Sequence, residues 1–495
     1  MALAFILSPL LVIAAGALLL MLAEALAPKA RQTDGLAIGA TIVFGAGLAF
    51  SAGAWMYGVE DVDTSALQPW LVIDRFSLFF DGMMCLGGML ASLLAGGYLR
   101  EHEMERGEFY ALLLFATMGA MMVASAGDAL IVFVGLETMS IGAYAMTAFR
   151  RTSARSAEGA LKYFLLGSFA AALLLYGFAL IYGATGHTDL AGIGAAIKQG
   201  TDHQTMVLVA LVLILVGLLF KVSAVPFHMW TPDAYEGAPT PATSYMSTVV
   251  KAGGFAMLLR VMFTCFADKG SMSWSSGWPP VLAWIAVITM TVANLIAGQQ
   301  ESVKRMLAYS SIAHAGYLLV GVVSAVHDMP GATSSVMFYL LTYTVSTAGA
   351  FGALILCGRK GAESVSYEDL AGIGRRHPPA ALAFSLFLIS LAGIPPTAGF
   401  FGKWFIFRSA MDAGFTTLTV IAFMNSVVGI YYYLRVLVYM YMREPAAGAP
   451  VATPMRSGYV TTALVVSAIL VLVLGLAPSR TLDIAIKAAS AFGPT

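Results

Sequence analysis

Apolar residues fill this chain in long blocks, and polar residues gather in the short gaps between them. A block of about 20 apolar residues is what a helix needs to cross ~30 Å of hydrocarbon. Fourteen blocks meet that test, near 3–26, 36–57, 76–97, 109–125, 128–149, 158–184, 205–225, 240–265, 280–298, 306–326, 332–357, 380–409, 414–442 and 458–477. The pattern predicts an all-α polytopic membrane protein with about 14 transmembrane helices.

Two blocks are interrupted. The seventh breaks at SAVPFHMW and the twelfth at LAGIPPTAGFFGKW, with Pro226 and Pro395 near their middles. Proline lacks an N–H and clashes with the preceding turn, so each predicts a discontinuous helix. Five crossings separate them, an odd number, so the two broken helices run in opposite directions. That is the sequence sign of inverted repeats, with ion sites near the midplane. The expected organisation is an N-terminal three-helix segment (1–105), a first five-helix repeat of helices 4–8 (106–268), a second inverted repeat of helices 9–13 (269–445) and a C-terminal helix 14 (446–495).

Charge changes this picture most within residues 217–255, GLLFKVSAVPFHMWTPDAYEGAPTPATSYMSTVVKAGGF. Lys221 lies in the seventh block just before the proline break, His228 just after it, and Lys251 well inside the eighth block. A charge near the bilayer centre costs roughly 2.5–3.5 kcal/mol on insertion scales, so each buried lysine is a candidate functional site. Burial favours the neutral amine and a nearby carboxylate favours the ammonium. Moving the carboxylate's partner, or hydrating the gap, therefore switches a lysine between holding and releasing a proton. The stretch reads as part of an ion path.

Seven basic residues fall inside predicted spans: Lys162, Lys221, Lys251, Arg260, Lys403, Arg408 and Arg435. Arg260 and Arg408 are near helix ends, where snorkelling explains them. Arg435 is an anchor or a counter-charge. Among acids, Glu137 is the deepest, on a helix face with Phe133, Val134, Ile141 and Tyr144. It needs a cationic partner, for which Lys162 is a candidate. A static ion pair that fixes helix register is the competing explanation. His228 and His314 could bridge gaps, because neutral imidazole both donates and accepts.

Composition narrows the class. The 495 residues are 59% hydrophobic and 11% charged with zero formal net charge, against about 25% charged in soluble domains. No basic face is available for nucleic acid. Cys85, Cys265 and Cys357 are widely separated and form no CxxC, so no metal or iron–sulfur site is expected on this chain. The N-terminal run lacks a basic signal region and reads as a retained first helix. No Walker loop, dinucleotide fingerprint or Ser–His–Asp order stands out.

Orientation follows the loops. With the N-terminus outside, inner loops hold fifteen basic residues: Lys29, Arg31, Arg100, Arg106, Arg150, Arg151, Arg155, Lys304, Arg305, Arg359, Lys360, Arg375, Arg376, Arg443 and Arg456. Outer segments hold five, Arg75, Lys198, Lys269, Arg480 and Lys487, beside the acidic Glu60, Asp61 and Asp63. This bias predicts both termini on the outer, periplasmic side of a bacterial inner membrane.

Five segments together resemble a known family: VGLETMSIGAYAMTAF, EGALKYFLLGSF, FKVSAVPFHMWTPDAYEGAPTPATSYMSTVVKAGGF, VKRMLAYSSIAHAGY and GIPPTAGFFGKWFIF. The chain resembles, over nearly its whole length, the antiporter-like membrane subunits of bacterial NADH–quinone oxidoreductase, respiratory complex I. Lys403 and the short tail after the fourteenth block fit a branch with lysine at that place and no long lateral helix. The resemblance implies that Glu137 and Lys221 form a controlling charge pair and that Lys251 is the central proton carrier. It further implies Lys162 and His228 on the connecting path and Lys403 as the exit-side carrier. It implies no cofactor on this chain, with FMN, iron–sulfur clusters, NADH and quinone on partner subunits. The expected partners are the other membrane and peripheral subunits, a neighbouring antiporter-like subunit among them, and membrane lipids. Two rival readings remain: a cation/proton antiporter subunit without redox chemistry, and a structural membrane subunit whose ion pairs only hold helices.

Overall fold

The computed structural model describes residues 2–26, 34–104, 106–358, 363, 365–445 and 454–490. Lys29, Arg31, Arg359 and Lys360, used above for orientation, lie outside the described residues. Among the described residues twelve helices are long and apolar enough to cross a membrane, and Glu108–Ala124 and Pro378–Ala392 are shorter apolar ones. Together these make the fourteen expected crossings.

In chain order the crossings are Ala2–Ile6 continued by Ser8–Leu26, Asp34–Tyr57, Arg75–Glu101, Glu108–Ala124, Ala129–Thr147 and Ala154–Thr185. The seventh is split into Gln204–Lys221 and Trp230–Gly237, and the eighth runs Thr240–Cys265. Then come Pro279–Ala297, Val303–Ser324 and Met329–Leu356. The twelfth is split into Pro378–Ala392 and Ala398–Asp412, followed by Thr416–Met442 and Gly458–Leu476. Among the described residues the helices Leu190–Gln199, Ile373–Arg376 and Pro478–Ser490 are not among the crossings. The chain is an all-α polytopic membrane protein.

Helix starts are written in short polar residues. Asp74 accepts from the Ser77 amide at 2.7 Å while the Ser77 hydroxyl accepts from the Asp74 amide at 3.0 Å. Asp128, Asp189 and Ser302 cap their helices in the same way. Each satisfies amides that would otherwise be stranded at a helix end.

Both breaks are satisfied internally, as a bilayer demands. The Val225 amide donates to Thr289 Oγ1 of the ninth crossing at 3.0 Å, and Trp230 Nε1 donates to the Phe220 carbonyl at 3.2 Å. At the second break Gly393 takes φ +83° and the Gly399 amide donates to Ser390 Oγ at 3.2 Å. Gly399 itself has no room for a side chain, because a Cβ there would meet the Ser390 carbonyl oxygen.

Burial sorts the crossings. The eighth and tenth are 94% buried and the eleventh 89%, whereas the first two are 22% and 28%. The interior is therefore built from the crossings that carry Lys251, Ser311, His314 and Tyr343. Exposed Leu161, Phe164, Leu165 and Phe169 give the sixth crossing an apolar outer face.

A buried row of lysines as the candidate functional site

Lys221, Lys251 and Lys403 are 3%, 2% and 6% exposed, and each stands at an interruption of regular helix or reaches to one. Lys221 is the last residue of its half-helix. Lys251 follows a π-helical turn, Met246–Val250, a distortion common at functional sites. The Lys403 ammonium donates to the Ala392 carbonyl at 3.0 Å, at the end of the preceding half-helix. A helix C-terminus carries partial negative charge and unpaired carbonyls, so a cation is favoured there.

None of the three is in an ion pair with a carboxylate among the described residues. The Lys221 ammonium donates to Ser140 Oγ at 2.9 Å and reaches Tyr163 OH at 3.4 Å. Lys251 donates to Ser311 Oγ at 2.6 Å and to the Ser311 carbonyl at 2.5 Å. Lys403 also donates to Ser426 Oγ at 3.0 Å and lies 5.3 Å from the Tyr317 ring centroid. Hydroxyls and carbonyls solvate these ammoniums, a substitute for water that a proton can also use.

The row is connected. The stem of Lys221 packs over Gly254, three residues beyond Lys251. Beside Ser311, the Ser310 hydroxyl makes a short contact with Tyr433 OH. Tyr433 OH is 3.0 Å from His314 Nε2, and His314 Nδ1 is 2.6 Å from Tyr339 OH. Tyr339 in turn packs on Gly402, next to Lys403. Imidazole flanked by two hydroxyls can accept on one nitrogen and donate from the other. Ser310, Tyr433, His314 and Tyr339 thus form a buried polar chain from beside Ser311, the partner of Lys251, to Gly402, the neighbour of Lys403. Their sequence signal was the spacing of Ser310, Ser311 and His314 on one helix face.

Other expected residues fall differently. Glu137 is half-buried at a seam, with Tyr144 turned inward and Val134 and Ile141 exposed. Glu137 and Lys221 interact through space, while the Lys221 ammonium donates to Ser140. Glu137 Oε1 and His228 Nδ1 are buried without a hydrogen-bond partner, the kind of orphaned atom that ordered water satisfies. Lys162 is 43% exposed and pairs with Glu158 and Asp233, each at 2.7 Å. It is not the counter-charge of Glu137. Asp233 also takes Arg305 at 2.7 Å, which makes a partly exposed ion network.

Two further charges depart from expectation. Arg260 does not snorkel: it is 4% exposed and grips both carboxylate oxygens of Asp74 at 2.7 and 2.9 Å and the Ala124 carbonyl. Lys304 is no loop lysine: it is 0% exposed, pairs with Glu363 at 3.0 Å and donates to the Ala238 carbonyl at 2.7 Å. Arg408 is largely exposed beside Asp412, as snorkelling requires. Arg435 anchors the Gly298 and Gln300 carbonyls at 3.1 Å and stacks on Tyr367. The sequence reading also passed over Asp81, 4% exposed, with Oδ1 unpartnered.

This geometry has relatives. Residues 126–429 match the family described as NADH:quinone oxidoreductase/Mrp antiporter, transmembrane. NADH-quinone oxidoreductase subunit N 1 of Sorangium cellulosum is 63% identical over 97% of both chains. Subunit N of Trichlorobacter lovleyi is 45% identical over 90% of this chain and 88% of its own. A chain of respiratory complex I from Thermus thermophilus superposes with a TM-score of 0.79 at 35% identity, covering 97% of this chain and 99% of that one. A chain of the Mrp complex from Dietzia shares the fold, with a TM-score of 0.86 at 24% identity over 100% and 98%. The chain belongs to the NADH:quinone oxidoreductase/Mrp antiporter membrane family, in its NADH-quinone oxidoreductase subunit N branch.

Proposed function

We propose that this chain is a proton-translocating membrane subunit of a bacterial NADH:quinone oxidoreductase. FMN, the iron–sulfur clusters, NADH and quinone belong to partner subunits, and the energy of electron transfer reaches this chain through its neighbours. The observation that carries the reading is the row of three buried lysines without carboxylate contacts among the described residues, with a serine–tyrosine–histidine chain lying between the surroundings of Lys251 and Lys403. Lys221, under the electrostatic influence of Glu137, controls one half-channel, with His228 beside its break. Lys251 is the central carrier, and Lys403 passes the proton out. Lys162 acts at most at the rim, through Asp233. The two split crossings support a division into inverted repeats at 106–268 and 269–445, and the basic-rich loops on the other face support periplasmic termini in the inner membrane.

An antiporter without redox chemistry shares the fold, but the 63% identical relative favours the redox branch. The test is Lys251→Ala in the assembled complex, reconstituted into vesicles. Proton pumping should fall sharply while NADH oxidation by a soluble acceptor, which reports assembly, is unchanged. Pumping at the parent rate would remove the carrier role.

A further inference from the structure

Glu363 is held by groups from three other parts of the chain. Its carboxylate accepts from Thr240 Oγ1 at 2.8 Å, from Lys304 at 3.0 Å and, in a short contact, from Tyr98 OH. Arg150 donates to that tyrosine oxygen at 3.0 Å, and the half-buried His102 ring stacks on Tyr98 at 4.0 Å. Tyr98, His102, Thr240 and Glu363 line a cavity of about 10 Å³, the lower limit for a single water. His102 Nε2 is buried without a partner among the described residues.

Thr240 starts a row of hydroxyls. Ser244, Ser247, Thr248 and Lys251 follow it at four, seven, eight and eleven residues, one face of the eighth crossing. All are at most 2% exposed. Ser247 and Thr248 donate to the Ser244 carbonyl, while the Ser244 hydroxyl and, on the eleventh crossing, that of Thr344 have no partner among the described residues. Buried hydroxyls left open in this way are sites for water.

We propose that Glu363 and Lys304 form the gate of a proton-uptake lane that runs from the basic-rich face along Thr240, Ser244 and Thr248 to Lys251. The proposal rests on the proton-translocation reading above. In the closed state seen here, burial pushes the Glu363 carboxyl up, but the Lys304 ammonium and the Tyr98 and Thr240 hydroxyls hold it down at about 2. The carboxylate is charged and takes no proton. Withdrawing Lys304 leaves burial as the main influence, with Arg150 and His102 the remaining basic groups nearby. Glu363 then accepts a proton from cavity water. The proton passes along the hydroxyls and their waters, each oxygen accepting one proton and releasing another, and ends on the neutral amine of Lys251.

The opening motion is built into the tenth crossing. Lys304 and Ser311 are seven residues apart, on one face and about 10 Å along the axis. A shift of this helix that loosens Ser311 from Lys251 also draws Lys304 from Glu363.

The test uses the whole complex in vesicles and follows protons moved per NADH. Glu363→Gln should lower pumping to the level of Lys251→Ala. The decisive variant is Lys304→Met with Glu363→Gln, which leaves no unpaired buried charge and so should assemble even if the single change does not. The double variant should pump no better than Lys251→Ala. Parent-level pumping by the double variant would overturn the lane and leave the pair as a fastening. Parent-level pumping by Lys251→Ala would instead remove the reading on which the lane rests.

Discussion

Replacing Lys251 by methionine separates a proton carrier from a packing element, because the first role predicts lost pumping at nearly unchanged stability and the second the reverse. The ammonium makes two contacts to Ser311, at 2.5 and 2.6 Å. Hydrogen bonds to charged groups contribute about 1.5–3 kcal/mol each, so about 3–6 kcal/mol is lost with the ammonium. Against this, keeping an ion out of water costs several kcal/mol even after relaxation, and methionine of similar length removes that penalty. No carboxylate contact is left behind as an orphaned charge. The two effects nearly cancel, and Lys251→Met should stay within roughly 2 kcal/mol of the parent chain. Pumping, by contrast, should be lost, since a thioether carries no proton. Heating the purified complex and measuring what survives size-exclusion chromatography reads the first quantity. A pH-sensitive dye inside vesicles reads the second. Early melting of Lys251→Met, with normal pumping by the enzyme that survives, would refute the reasoning and make the lysine a fastener.

The Arg260–Asp74 pair should behave in the opposite way: Arg260→Met strands a buried carboxylate and should cost about 3–5 kcal/mol. Asp74→Asn in the same chain should recover much of the loss, measured as the yield of assembled complex after heating. Glu363 is depressed from 4.5 to about 2, so its contribution is complete above pH ~5 and fades as pH falls towards 2, by on the order of 3 kcal/mol. An acid-unfolding curve that keeps its midpoint in Glu363→Gln would contradict this. Gly399→Ala should drive a methyl into the Ser390 carbonyl, shift the half-helix that carries Lys403 and lower pumping; an unchanged pumping rate would show that the break tolerates it.

Much of the fold was legible because a bilayer leaves few options. Apolar length marks the crossings, and a proline in mid-span marks a break whose freed amides must find partners such as Thr289. The depth of Lys221, Lys251 and Lys403 was legible for the same reason. What stayed hidden depends on distant residues. Lys304 at a helix start looks like any interfacial lysine, and what buries it is Glu363, 59 positions away. Asp74 lies 186 positions from Arg260, so position near a helix end suggested water where the fold supplies a carboxylate. Periodicity placed Glu137 on its helix face, yet it could not reveal that the Lys221 ammonium donates to Ser140. Lys162 was misjudged because the ion network around Asp233 is assembled by three separate crossings.

The contact between Lys403 and the Ala392 carbonyl joins acid–base state to shape. The oxygen it touches ends a half-helix, and that end is steadier with a positive neighbour. On the proposed carrier role, this contact is stronger each time the amine is charged and weaker each time it is neutral, so proton occupancy and the packing of Pro378–Ala392 against Ala398–Asp412 are coupled at this joint.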